Sequence, residues 1–317
     1  MANGLYALRK IQIGKEAVVG TPTTPTTQLV GKLTMKANDT LYRPDDHDTG
    51  LFSEYYRSEV VGRQAEGSFE SDFNFEQGAI LLGMSVKGGV SPVGNTYDFT
   101  PTLDSAWTPD TYTFVFGDNQ QTYQAPMVFA KDMTISGSID DAVMVSANLY
   151  GQKVETTAGF EAGVSMPATL ECAKTDLAKV YVDSSWSDLG DTEIPASVID
   201  FSWQITEGVE AVKFLNGQLY ATALTEKKRH VELDLTLAHN DNYTDTILPA
   251  FLAQSQLFVQ ISIDGSGTKN LTLSGCFVVD NPDALSDQNG QDVVKVKLIS
   301  EYDATSDNEW AISLTTA

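Results

Sequence analysis

The heptapeptide Lys131-Asp132-Met133-Thr134-Ile135-Ser136-Gly137 recurs later in the chain as Lys269-Asn270-Leu271-Thr272-Leu273-Ser274-Gly275. Lysine, threonine, serine and glycine are identical in the two copies, and the apolar positions exchange one aliphatic side chain for another. Because side chains of a strand alternate between its two faces, the apolar and hydroxyl side chains of each copy would lie on opposite faces. The pattern therefore predicts a β-strand that occurs twice in the chain.

Segments on either side of the heptapeptide recur in the same order. The matched segments are 10–13 with 179–182, 33–35 with 201–203, 69–73 with 231–235, 80–81 with 247–248, 112–116 with 257–261, and 143–147 with 294–298. The insertions between them fall in predicted loops, where insertions are tolerated. This order predicts an internal duplication, with a first domain at 1–160 and a second at 161–317.

Alternation of apolar and polar residues dominates both halves, and each half has one short helical pattern, at 76–84 and 243–254. The fold class is therefore predicted to be mainly β (α+β). We expect two tandem antiparallel β-sandwich domains, each with one short packed helix and a long protruding loop or hairpin. The alternative is one large sandwich in which strands of the two halves interleave.

The chain is strongly acidic, with 43 Asp and Glu residues against 20 Lys and Arg residues and a formal charge of -23 at pH 7. Such a surface repels phosphate, so we expect no tight nucleic-acid binding through counterion release. We expect Cys172 and Cys276 to be unpaired thiols rather than a disulfide. No apolar run approaches the roughly 18 residues of a membrane span. Because 1–10 lacks an apolar signal core, we expect a cytoplasmic chain without a membrane partner.

Motifs that would carry catalysis or cofactor binding are missing from the sequence. The chain has three histidines and no HExxH, GxSxG, Walker or strand-to-helix GxGxxG pattern. The acidic run Asp45-Asp46-His47-Asp48 has metal-ligand side chains, but consecutive residues rarely converge on one ion, and a solvated loop is the preferred interpretation. We therefore predict no catalytic residue, no cofactor and no metal site.

Two long segments, 38–65 and 208–228, connect predicted strands and carry apolar and aromatic side chains. Apolar side chains on a protruding connection call for a partner surface. The candidate inter-subunit contacts are Tyr42, Leu51, Phe52, Tyr55, Tyr56, Phe214, Leu215 and Tyr220. The alternative is that each segment folds back on its own domain.

Two pairs of acids occupy outward positions of predicted strands: Glu70 with Asp72, and Glu232 with Asp234. They would form an ordinary solvated sheet surface or, in a ring or tube, line the lumen.

Three further stretches resemble a known family. They are Ala7-Leu8-Arg9-Lys10-Ile11-Gln12-Ile13-Gly14-Lys15-Glu16 with Gly20-Thr21-Pro22, Glu66-Gly67-Ser68-Phe69-Glu70 leading into Phe75-Glu76-Gln77, and Tyr97-Asp98-Phe99-Thr100-Pro101 followed by the strands that end at Tyr150-Gly151. In these stretches the chain resembles the tail tube (major tail) proteins of long-tailed bacteriophages. The resemblance covers most of the first half directly and the second half through the repeat.

The resemblance implies a structural virion protein that self-assembles into stacked rings around a channel for DNA. Six domains would make a ring, so a duplicated chain would need three subunits with pseudo-sixfold symmetry. The family further implies tape measure, tail terminator and distal tail proteins as partners, passage of DNA without tight binding, and assembly in the bacterial cytoplasm. A hexameric ring that the second half merely decorates remains open.

Two other classes of function are weighed against this interpretation. A secreted or surface β-sandwich that binds carbohydrate or acts as an adhesin would explain the exposed aromatic residues. The missing export signal and the two equivalent long segments, 38–65 and 208–228, count against it. An enzyme comes third, because no activated nucleophile or metal-ligand spacing is present.

Overall fold

The computed structural model describes residues 4–44, 52, 54–86, 94–101, 110–206, 208–288 and 290–316. The fold is mainly β, as predicted, and the named strands pair antiparallel. The strands of the first half are β1 Lys10–Lys15, β2 Thr27–Leu29, β3 Lys32–Ala37, β4 Thr40–Tyr42, β5 Glu59–Gly62, β6 Ala65–Asp72, β7 Thr96–Phe99, β8 Tyr112–Gly117, β9 Thr122–Ser138, β10 Met144–Gly151 and β11 Glu155–Thr157. Those of the second half are β12 Ala178–Asp183, β13 Val198–Ile205, β14 Val209–Val212, β15 Ala223–Glu226, β16 Val231–Ala238, β17 Leu257–Asp264, β18 Asn270–Pro282, β19 Ser286–Gln288, β20 Gln291–Ser300 and β21 Trp310–Thr315.

A central sheet of eight strands runs through both halves in the order β3-β6-β10-β9-β13-β16-β20-β18. Burial alternates along most of its strands: in β16 the side chains of Val231, Leu233 and Leu235 are buried, while the polar residues between them are partly exposed. One face of this sheet therefore covers the apolar core and the other meets solvent.

Two outer sheets pair with parts of the same long strands. The first half of β9 pairs with β8 and β11, and β8 pairs with β1, which pairs with β2. The first half of β18 pairs with β17 and β21, and β17 pairs with β12. Strand β7 of the first half adds to β21, so the outer sheet of the second half includes a strand from the first.

The order of strand pairing in the first half repeats in the second. It reads β1-β8-β9-β10-β6-β3 before the linker, residues 158–174, and β12-β17-β18-β20-β16-β13 after it. Both long strands also carry a register shift at the same point of the pattern, at Lys131 of β9 and Asp280 of β18. The domain boundary at 160/161 stays a prediction.

The pairing corrects three of the sequence matches: the heptapeptides, 69–73 with 231–235, and 143–147 with 294–298, since Ala147 corresponds to Val296 rather than Leu298. The first heptapeptide, in the second half of β9, pairs with β10 and β13, whereas the second, at the start of β18, pairs with β17 and β21. Similarly, Phe69 faces Ala147 of β10 and Leu235 faces the corresponding Val296 of β20, so Glu70 matches Thr236 rather than Glu232. The alternating pattern is unchanged by a shift of an even number of residues, so it did not fix the register.

Both predicted helices are present. Helix α1, Phe75–Ser85, begins after Asn74, whose side-chain oxygen accepts a hydrogen bond from the Gln77 backbone N–H at 2.9 Å. This contact is an N-cap, which satisfies a backbone donor that has no partner inside the helix. In the second half, a π-helical stretch at Tyr243–Ile247 continues into α2, Leu248–Ala253.

Candidate assembly surfaces

The solvent face of the central sheet brings the four predicted acids into two adjacent rows. One row of facing residues runs Lys32, Glu70, Ser146, Thr134, Gln204, Glu232, and the next runs Asp72, Met144, Ser136, Ser202, Asp234, Lys297. Within each row the two acids are four strands apart, or about 19 Å at ordinary strand spacing. Residues of both halves thus form one continuous polar face.

Lysines on the outer strands of this face pair with three of the acids. Lys32 Nζ lies 3.2 Å from Glu70, Lys297 Nζ lies 2.9 Å from Glu232, and Lys295 Nζ lies 3.5 Å from Asp234. The hydrogen bond from Lys297 lowers the pKa of Glu232, with a smaller contribution from His230 at 3.3 Å. The face is therefore a mixture of acids and paired lysines rather than a purely acidic surface.

Both ends of the central sheet have an edge without a partner strand among the residues that the structure describes. At one end, β3 pairs only with β6, and at the other, the end of β18 and the short β19 pair only with β20. Unpaired edges expose backbone N–H and C=O groups and are ready to accept another strand.

The junction between β9 and β13 is where the halves of one chain meet within the central sheet. The register runs from Met133 facing Ile205 to Ser138 facing Asp200. On the core side, Phe201 and Trp203 of β13 are 3% and 0% exposed. A side-chain β-carbon added at Gly137 would lie 2.6 Å from the ring of Phe201, so the first half packs tightly on this strand.

An apolar groove of about 1080 Å³ lies at the other end of the sandwich, beside β3. Leu33 and Met35, which match Phe201 and Trp203 in the pairing order, line this groove and are only half-buried. Further apolar lining residues are Ile11, Leu29, Phe116, Tyr123 and Met166. Phe201 and Trp203 of β13 are thus covered by the first half of the chain, whereas the matching Leu33 and Met35 of β3 are left partly exposed.

Strands β4 and β5 of the first long segment pair as a hairpin, and we call its described residues, 40–44, 52 and 54–62, the first arm. Its predicted contact residues Tyr42, Phe52, Tyr55 and Tyr56 are exposed, and Leu51 lies outside the described residues. The guanidinium of Arg43 lies 5.6 Å from the ring centre of Tyr55. The arm thus presents aromatic and apolar side chains to solvent.

The second long segment forms a hairpin of β14 and β15, which we call the second arm, residues 209–226. Its base packs on the first half of the same chain: Val209 and Ala221 form a buried cluster with Met127, Phe129 and Tyr150. We call this the arm cluster. The base of this arm is thus buried within its own chain, but on the other half rather than on its own domain as the folding-back alternative had it.

Polar contacts fix the second arm in the same place. The side-chain amide of Gln152 donates a hydrogen bond to the Ala221 carbonyl at 2.8 Å, and Lys153 Nζ lies 5.0 Å from the ring centre of Tyr220. Tyr220 therefore contacts its own chain. Phe214 and Leu215 at the tip of the arm are exposed, and their role as inter-subunit contacts stays a prediction.

Comparison with known proteins gives one result that bears on these surfaces. The profile of the family described as phage tail tube protein matches residues 7–304. The chain belongs to this phage tail tube family. A search of curated proteins found no match. A tail tube protein is a structural component of the virion tail, and the family implies assembly into an oligomer together with other tail proteins.

Chemistry-bearing side chains of this tail tube protein are scattered in the structure. Among the described residues, no three His, Cys, Asp or Glu side chains are grouped as metal ligands, and the run 45–48 lies outside them. His230 contacts Thr206 and Glu232 on the sheet surface. Cys172 and Cys276 are free thiols, as expected. No helix in the described parts of the chain has the length and apolar character needed to span a membrane.

Sequence reasoning missed two groups that hold the tail tube protein together. Buried Glu16 accepts hydrogen bonds at 2.8 Å from the Gly20 and Met127 backbone N–H groups and from the hydroxyls of Thr111 and Thr113. It therefore ties the end of β1 to β9 at Met127, a member of the arm cluster. The sequence signal that could have indicated this role is the carboxylate of Glu16 directly after β1, four residues before Gly20.

The second group is an ion-pair cluster of Lys269, Glu76 and Glu171. Lys269 Nζ lies 2.5 Å from Glu76 on α1 and 2.9 Å from Glu171 in the linker. It joins α1, the linker and the turn before β18. Its members are far apart in sequence, so no local pattern indicated the cluster.

Proposed function

We propose that three copies of this tail tube protein close into a ring whose 24-stranded barrel surrounds the channel of the phage tail. The main support for this proposal is the eight-stranded central sheet, which has an unpaired edge at each end in the described residues. Three sheets of eight strands give 24, and barrels of 16–18 strands already leave an open channel. The junction between β9 and β13 within each chain supplies the geometry for the junction between copies.

The unpaired edges are complementary in charge. Carrying the β9–β13 register over to the matching strands sets the end of β18 of one copy against β3 of the next, with Asp283 opposite Lys36. Asp287 and Lys32 lie at the far end of the same pair of edges. Opposite charges on facing strands stabilise pairing by roughly 0.2–1 kcal/mol each.

The open groove beside β3 also supports closure by another copy. Its half-buried Leu33 and Met35 match residues that are fully covered at the β9–β13 junction. Packing a neighbouring copy on them would remove apolar surface from water, which contributes about 25 cal/mol per Å². A ring thus removes both the exposed edges and the open end of the sandwich.

In this ring the polar face of the central sheet lines the lumen, because the other face covers the core. Glu70, Asp72, Glu232 and Asp234 would then face DNA during ejection. Their carboxylates repel phosphate, while the paired lysines keep the lining from being a strong anion trap. DNA would slide through without tight binding.

We further propose that rings stack into the tail tube in the bacterial cytoplasm, with tape measure, tail terminator and distal tail proteins as partners. The trimer is favoured over a hexamer with a decorating second half, because the second half contributes four strands to the same central sheet as the first.

Electron microscopy of the purified protein tests the ring. Class averages of end-on views should have threefold symmetry with six similar lobes, and light scattering should give the mass of three chains or a multiple of it. Sixfold symmetry with six chains per ring would exclude the trimer, and stable monomers at high concentration would exclude self-assembly of this chain.

A further inference from the structure

We propose that the first arm of each copy docks on the second half of the neighbouring copy, over a surface formed by Val278, Ile299 and Tyr302. The inference rests on the proposed ring and specifies which arm contacts which neighbour. The occupant of this surface is a second copy of the chain, and its anchors are Leu41 and Tyr55 of the first arm.

The docked second arm provides the template. Because the pairing order repeats, each residue beneath that arm has a counterpart in the second half of the chain. Phe129 matches Val278, Tyr150 matches Ile299, and the following Lys153 matches Tyr302. The surface beneath the second arm thus has an equivalent on the other half.

The two surfaces differ in burial. Phe129 and Tyr150 are 0% and 5% exposed because the second arm covers them. Their counterparts Val278 and Ile299 are only half-buried, and Tyr302 is exposed. In the described part of the chain, the second half therefore has the equivalent site with no arm on it.

The two arms also differ in burial, in the sense opposite to the two surfaces. Both hairpins follow the matching strands β3 and β13, so Leu41 matches Val209, and counting back from β5 matches Tyr55 with Ala221. Val209 is 4% exposed and Leu41 is 49% exposed. The chain thus has a first arm whose Leu41 is exposed and, among the described residues, a second-half surface on which no arm lies. In the ring they belong to adjacent copies.

Charge supports the same pairing. Arg43 of the first arm matches Ala211, which packs against the arm cluster, so Arg43 would face the second-half surface. Exposed Asp280 and Glu301 lie beside that surface. Glu301 stands where the first half has Gln152, so the amide hydrogen bond that holds the second arm would be replaced by attraction to the arginine.

The test is cross-linking between copies that carry different cysteines. In a Cys172→Ser background, Glu54→Cys and Tyr302→Cys chains are mixed under assembly conditions and treated with a short bismaleimide. These exposed positions match Tyr220 of the second arm and Lys153 of the surface beneath it, whose side chains lie in contact. Cys276 stays, because it is buried and burial raises the pKa of its thiol to about 12.

The expected result is a covalent dimer from the mixture and no dimer from either variant alone. A chain with both substitutions should give covalent species that end at the trimer. The control is one chain with Lys153→Cys and Tyr220→Cys, which should cross-link within itself even when monomeric.

Rings that are visible by microscopy but yield no dimer, while the control cross-links, would overturn the docking inference and leave the ring intact. Absence of rings would overturn both. The two proposals therefore fail in distinguishable ways.

Discussion

The side-chain amide of Gln152 donates a 2.8 Å hydrogen bond to the backbone carbonyl of Ala221, across the boundary between the two halves of the chain. The bond holds the second arm on the arm cluster of the first half. For the first arm to dock in the same way, it needs a second half beside it, and in the proposed ring a neighbouring copy supplies that half. The tail tube protein thus contains, within one subunit, a version of the interface by which we propose that it assembles.

Replacing Leu41 by aspartate should weaken ring formation without unfolding the monomer. Leu41 is exposed in the single chain but buried in the proposed docked arm, and burial of a leucine contributes about 1.5–3 kcal/mol. We expect the concentration for half-assembly to rise about tenfold or more, since 1.4 kcal/mol corresponds to a factor of ten. Analytical ultracentrifugation over a series of protein concentrations measures the concentration for half-assembly.

The matched control is Leu177→Asp, which changes a leucine of similar exposure, 47% against 49%, in the turn before β12 and outside both proposed interfaces. It should assemble as the parent does. Equal effects of the two substitutions would mean that Leu41 has no specific role.

Reversing one charge at the sheet edge should disfavour ring closure, and reversing its partner should restore it. Asp283→Lys would place like charges opposite each other at Lys36, which is destabilising on facing strands. We expect about threefold to tenfold weaker assembly. The double variant Asp283→Lys with Lys36→Asp should recover most of the loss in the same sedimentation assay.

If the double variant assembles as poorly as the single one, the two residues do not face each other and the carried-over register is wrong.

The ion-pair cluster should make stability fall in acid. Hydrogen bonds from Ser266 and Lys269 hold the pKa of Glu171 at about 2, below its ordinary 4.5. For Glu76, burial alone would raise the pKa, but hydrogen bonds from the Glu171 backbone and Lys269 lower it overall. A carboxyl whose folded pKa is depressed stabilises the fold above its unfolded pKa. This contribution should disappear between about pH 4.5 and pH 2.

Urea unfolding at a series of pH values measures the effect. Lys269→Met should destabilise the protein at neutral pH and reduce the loss between pH 4.5 and 2, compared with the parent. An unchanged pH dependence in this variant would exclude the cluster as the cause.

Substituting all four lumen acids by lysine should slow DNA ejection. Glu70→Lys, Asp72→Lys, Glu232→Lys and Asp234→Lys together would turn a mixed face into a basic one that binds phosphate and releases counterions. Dye-based measurement of DNA release from assembled virions should give slower or incomplete ejection, with the largest defect at low salt.

Four acids of the outer surface, Asp188, Asp191, Glu193 and Asp264, serve as the charge-matched control when all are replaced by lysine. Normal ejection by particles with the lumen substitutions would remove the assignment of this face to the channel.

Replacing Glu16 by glutamine should destabilise the monomer. Its carboxylate receives four hydrogen bonds, and the amide nitrogen of glutamine would face donors instead. Hydrogen bonds to a charged group are worth about 1.5–3 kcal/mol, so we expect a loss of about 2–4 kcal/mol in unfolding free energy. The exposed Glu193→Gln is the control for urea denaturation, and equal stability of both variants would contradict the anchoring role.

The sequence by itself determined the fold class, both helices, most strands and the order in which similar segments recur. These features rest on local patterns: alternation in β16, the cap at Asn74, and apolar residues that must find a core. The family resemblance was also readable from local motifs, and the family match confirms it.

Only the tertiary structure decided the register of the repeat, the cluster around Lys269 and the docking of the second arm. Alternation with period two does not distinguish strand pairings that differ by an even number of residues, which is why the acid pairs were matched wrongly. The heptapeptides were matched on shared residue types, which do not fix the position of a strand in the sheet. Whether an arm is free or docked depends on surfaces far away in the chain. Val209 is buried because the second arm packs on Met127, Phe129 and Tyr150 of the first half. The matching Leu41 of the first arm is exposed in the single chain.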